Sequence, residues 1–133
     1  MSGVGVGTKI SVQMAVAPIA ADSLQTSAAI DRKGFFSAVL VVENGAATGS
    51  PSSYTVNAKM QHCATSDGQF NDVTGEVITQ IVANGVKQEL NIDLRSYERF
   101  VKVLVTPALA GGSSPKALIS AVLVLGDSYI EPV

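Results

Sequence analysis

The chain has 133 residues, 47% of them apolar and 15% charged, with a net charge of −2. This length suits one domain with its own core, and the apolar share excludes a disordered polymer. The nine basic residues are scattered, with Arg32-Lys33 the only adjacent pair, which argues against nucleic-acid binding, since phosphate neutralisation needs a concentrated basic face.

Residues 1–7 (Met-Ser-Gly-Val-Gly-Val-Gly) hold three glycines in seven positions and read as a flexible arm, because glycine loses the most backbone freedom on ordering. Val4 and Val6 are its candidate contacts with a neighbouring subunit. Residues 8–133 read as a single domain. From Lys9 the period is two: Ile10, Val12, Met14 and Val16 share one face, Ser11, Gln13 and Ala15 the other, and Pro18 is expected to stop the ladder. Ala15-Val16-Ala17 mimics a signal-peptide cleavage site, but the alternation favours a strand. Leu24 to Ile30 is a second strand, closed by the turn Asp31-Arg32-Lys33-Gly34. Phe35 to Glu43 is nearly continuous in β-branched and aromatic residues, the pattern of a strand buried on both faces.

Asn44-Gly45 and a loose segment to Ser53 follow. Tyr54 to Cys63 resumes the alternation, with Tyr54, Val56, Ala58 and Met60 on one face. Ser66-Asp67-Gly68 is a tight turn. Val77 to Val82 is a short apolar strand, joined by Asn84-Gly85 in a hairpin to Val86–Leu94, since both turn positions accept positive φ. Phe100 to Val105 is a strand, Pro107 to Pro115 a Gly/Ser loop, and Ala117 to Leu125 the last strand. Short strands with turns between them predict an all-β fold. It is a single-domain β-sandwich, jelly-roll or immunoglobulin-like, of about eight strands.

No catalytic, cofactor-binding or metal-binding set emerges. His62 is the only histidine and Cys63 the only cysteine. Neighbours on a strand point to opposite faces, so His62 is expected outside and Cys63 in the core. Asp67, Asn71, Asp72 and Glu76 collect oxygen donors without the spacing of a calcium loop. No run reaches the roughly 18–20 apolar residues of a membrane span. The densest polar cluster, Arg95-Ser96-Tyr97-Glu98-Arg99, reads either as a docking loop with Tyr97 as anchor and Arg95 and Arg99 beside it, or as a solvated turn. In the tail, Tyr129 and Ile130 are apolar residues suited to docking. These residues, with Val4 and Val6, are the candidate partner contacts.

The order of segments is similar to that of small structural proteins of tailed bacteriophages and prophages, of the capsid decoration or minor head type. The resemblance is carried by Ala28-Ala29-Ile30-Asp31-Arg32-Lys33-Gly34-Phe35 and the apolar strand after it to Val42. It continues in Thr65-Ser66-Asp67-Gly68-Gln69-Phe70-Asn71-Asp72-Val73, in Tyr97-Glu98-Arg99-Phe100-Val101-Lys102-Val103, and in the closing strand ending Leu125-Gly126. Phe70 stands where such hairpins usually carry Trp. The resemblance implies a non-enzymatic virion protein on the capsid exterior, made in the bacterial host cytoplasm. Its partner would be the major capsid protein of the same phage, and it would be a homo-oligomer, trimer or dimer. A head–tail connector or tail component fits the same class, and a carbohydrate-binding module is the alternative from another class.

Overall fold

A computed structural model describes residues 9–128. They form nine strands: β1 (Ser11–Ala21), β2 (Gln25–Thr26), β3 (Ile30–Asp31), β4 (Phe35–Asn44), β5 (Ser53–Cys63), β6 (Asn71–Val77), β7 (Lys87–Asp93), β8 (Phe100–Ala110) and β9 (Ala117–Ser128). A 3-10 turn at Leu94–Ser96 leads out of β7, and Asp93 caps it by accepting from the Arg95 N–H. The arm (residues 1–7), with Val4 and Val6, and the tail residues Tyr129 and Ile130 lie outside the described residues.

Every strand pair is antiparallel. One sheet runs β1-β9-β4-β7; the other runs β2-β8-β5-β6, with β3 also on β8. If β2 and β3 count as one interrupted strand, each sheet has four, and the chain crosses between sheets at every link except β5 to β6. This is the double Greek-key path of a jelly roll, so the fold is a β-sandwich of nine strands. The inner faces meet in one core: Ala38, Leu40, Val42, Leu123 and Leu125 from the first sheet oppose Val56, Met60, Val101, Val103 and Val105 from the second.

The interruption between β2 and β3 has a local cause. Ser27 is buried, and its Oγ takes the Val103 N–H at 2.9 Å in place of a ladder carbonyl. Asn44, the other buried polar residue among the described ones, donates from Nδ2 to Ala83 O at 2.8 Å and accepts the Val86 N–H on Oδ1 at 2.8 Å. Asn84 accepts from the Tyr54 hydroxyl and from the Ala47 N–H. Together they fix the chain as it leaves β6 for β7.

Three expectations about strand limits are corrected. β1 does not stop at Pro18. It continues to Ala21 because it is an edge strand and its register shifts between Val16 and Ile19, where proline costs no ladder bond. β8 runs through Pro107, which faces Val56; the Val56 backbone turns the other way and exchanges two bonds with Ile81, at 2.8 and 2.9 Å, so no donor is missed. Asn84-Gly85 does turn the chain, with Gly85 at φ 69°, but it makes no hairpin. β6 and β7 belong to different sheets, and most of the expected strand Val77–Val82 is a loop that sends Ile78 and Ile81 into the core.

Candidate interaction surfaces

The polar cluster after β7 is mostly engaged with neighbouring strands of its own chain. Arg95 grips Asp93 through two bonds, Nε to Oδ1 at 2.9 Å and Nη2 to Oδ2 at 2.7 Å. Arg99 grips Asp31 in the same way, at 3.1 and 2.8 Å, and lies over the Phe100 ring. Tyr97 is corrected as a docking anchor: it is 4% exposed, and its ring stands edge-on to His62 with centroids 5.6 Å apart. Burial first, and the Glu76 carboxylate second, hold its phenol above the usual tyrosine range.

His62 and Cys63 do point to opposite faces, but in the reverse sense to that expected. His62 pairs with the fully buried Val101 and turns inward at the end of the sandwich, where Nδ1 accepts the Glu98 N–H at 3.1 Å. Cys63 points outward and is buried because the turn after β5 folds over it; its Sγ lies 3.8 Å from Thr65 Oγ1. Asp72 is occupied by Lys59 at 3.0 Å and Gln61 at 2.8 Å. Among the described residues no three His, Cys, Asp or Glu gather as metal ligands, and no helix is long and apolar enough to cross a membrane.

The Arg95 grip, first through side-chain bonds and then through the Arg95 N–H, brings Asp93 from 3.8 to about 2. A depressed carboxyl favours the fold above its unfolded value and loses that effect as pH falls from about 4 toward 2. Both side chains are solvated, so the effect is read as a titration and not as stability. Carboxyl NMR is expected to place the Asp93 midpoint near 2, and Arg95→Ala to return it toward 3.8. An unchanged midpoint in that variant would remove the ion pair from the surface.

The outer face of the first sheet is the larger feature, and it was missed in the sequence. The ladder pairings put its outward residues in cross-strand rows. Ser37 lies between Gly126 and Asp93. The next row is Val12, Val124, Val39, Asn91, and the one after it is Met14, Val122, Val41, Glu89. Glu43 then lies between Ser120 and Lys87. The two middle rows carry six apolar side chains over β1, β9 and β4, with no charge until β7. Val12 is 62% and Met14 69% exposed. They point outward because β1 shifts register between Met14 and Val16. That bulge sends Val16 to the core and leaves Ser11 and Gln13, bonded to each other at 2.7 Å, on the inner side of the edge. Open concavities flank the face. The one lined by Phe36, Ser37, Asn91, Asp93, Arg95 and Asp127 measures about 790 Å³, and the one between Pro18, Ala20, Glu43 and Leu118 about 390 Å³.

No protein-family model and no curated protein matches the sequence. Solved structures similar to this chain include the SPBc2 prophage-derived protein YomS, with 13% identity over 86% of this chain and 92% of that one, and a TM-score of 0.46. A structure of Bacillus endospore appendages, described as disulfide-linked pili, is 16% identical over 95% of this chain and 96% of that one, with a TM-score of 0.44. A structure of infectious bursal disease virus, Gx strain, is 10% identical over 92% of this chain and 34% of that one, with a TM-score of 0.47. At these scores the likenesses carry no functional argument.

Proposed function

We propose that this chain is a non-enzymatic structural protein of a tailed-phage virion, one that binds the outside of the capsid head and stabilises it. The observation that carries the reading is the outer face of the first sheet. A strand with one solvated face alternates polar with apolar, whereas the central stretches of β4 and β9 are apolar on both faces. A surface with Val39, Val41, Val122 and Val124 in cross-strand contact is built to be covered by protein.

Other features support the same reading. The charged share of 15% lies below the roughly 25% of ordinary domains, so the surface is easily desolvated. The jelly roll hosts capsid domains but also lectins and cupins, so its support is by analogy of fold. The burial of Tyr97 removes one of the aromatic platforms a carbohydrate module would use. The mechanism is repetition: contacts that are modest per copy add up when many copies cover one shell, the major capsid protein of the same phage.

Co-sedimentation with capsid shells from the encoding genome tests this. Saturable binding at a fixed ratio to the shell subunit is expected. A folded protein that stays in the supernatant would overturn the decoration reading in favour of a connector or tail position.

A further inference from the structure

We propose that the outer face of the first sheet is the interface with a second copy of this chain, the two sheets packed face to face about a two-fold axis that runs across the strands. The inference rests on the reading that this face is covered by protein, and it gives the face to a second copy, so that contact with a shell falls to the outer surface of the dimer.

The rows carry the argument. An axis between the Val39 and Val41 rows lays each strand on its own copy, reversed, so that each row meets the row equally far on the other side of the axis. Val12 meets Met14, Val124 meets Val122, and Val39 meets Val41. At β7, Asn91 meets Glu89 and can donate its amide to the carboxylate. One row farther out, Asp93, held by Arg95, meets Lys87, which is paired with its own Glu89 at 2.8 Å, and Glu43 meets Ser37, whose hydroxyl donates to Asp127 at 2.7 Å. Each pairing occurs twice by symmetry, as an isologous interface requires. The face is thus complementary to itself: apolar on apolar in the centre, with Glu89 opposite the Asn91 amide and Asp93 opposite Lys87 at the β7 edge.

The dimensions agree. Nine residues of β9 and four strands cover roughly 30 by 19 Å, or about 570 Å² in projection. With side-chain relief this approaches the ~800 Å² per partner of a stable interface. Sheets of matching twist pack in this aligned way at about 10 Å separation. β1 also explains itself. Its bulge turns Val12 and Met14 away from their own core, which is unfavourable in a monomer and favourable where a second sheet covers them.

Sedimentation equilibrium of the full chain tests the proposal. The chain is expected to dimerise at micromolar concentrations. Met14→Glu, which places a carboxylate on each side of the axis, is expected to weaken the dimer at least a hundredfold with the far-ultraviolet spectrum unchanged. Val12→Thr keeps the β-branch and should weaken it several-fold even if the glutamate variant folds poorly. Lys87→Asp sets acid against Asp93, and adding Asp93→Lys should restore association. A wild type that stays monomeric to about 0.5 mM overturns the proposal, as does association indifferent to Met14→Glu. Shielding of the face only on addition of capsid shells would give it to the shell instead and overturn the proposal too. Shell binding is measured separately, so a dimer that binds no shell retains this interface and loses only the virion reading.

Discussion

Leu40→Ala is expected to lower stability by about 3–5 kcal/mol, whereas Val41→Ala, one residue on, should cost less than about 1 kcal/mol in the dissociated chain. Leu40 is fully buried at the centre of β4, between Leu123 and Leu90. Truncation there loses the transfer energy of three carbons and leaves a cavity that the flanking ladders cannot close. Val41 occupies the opposite face, between Val122 and Glu89, where solvent fills the space of the two lost methyls. Urea denaturation at low protein concentration measures both. Equal losses would mean that β4 is not divided between an inner and an outer face. At high concentration the Val41→Ala cost should grow, because dissociation then precedes unfolding and the missing contact belongs to the second copy.

The contrast also shows where the sequence is informative. Phe35 to Glu43 read as a strand buried on both faces; the strand is there, but only its inner face is buried, with Val39 and Val41 half-buried on the outer one, and the run cannot say which face meets the chain's own second sheet. In β1 the period of two was legible, but one extra residue before Val16 inverts the face. Counting in steps of two cannot see a bulge, so the exposure of Val12 and Met14 stayed hidden. Local chemistry was similarly correct and globally silent at Asn84-Gly85. The turn forms, but Asn44 and Tyr54, distant in sequence, determine that it links two sheets and not two neighbouring strands. The parity of His62 with Met60, which puts it on the inner side, was readable, while the burial of the outward Cys63 comes from a turn folding over the thiol. Tyr97 sat in a charged run and looked exposed; the 3-10 turn after Asp93 rotates the chain so that only its neighbours meet water. The rows of outward valines needed the register of β1, β9, β4 and β7, which are far apart in the sequence.

Gly112→Ala is expected to cost about 3–5 kcal/mol, although the residue lies in a surface loop that composition marks as tolerant. The loops before β5 and before β9 interlock: the Ser113 N–H reaches Gly49 O at 2.8 Å, and Thr48 and Lys116 exchange backbone bonds at 2.8 and 3.2 Å. Gly112 holds φ at 71°, and a Cβ there would stand 2.2 Å from Gly49 O and 2.7 Å from Ser50 O. Both obstacles are backbone, so neither can rotate away; the loop must separate and release its bonds. Gly85 supplies the control. Its φ is nearly the same, at 69°, but a Cβ there meets nothing within 4 Å, so Gly85→Ala should cost only the left-handed penalty of roughly 1–2 kcal/mol. Thermal melting of the two variants separates conformation from contact, and the excess in Gly112→Ala measures the interlock. Equal shifts would mean that the two loops are not held against each other, and that the end of the sandwich where they meet is open.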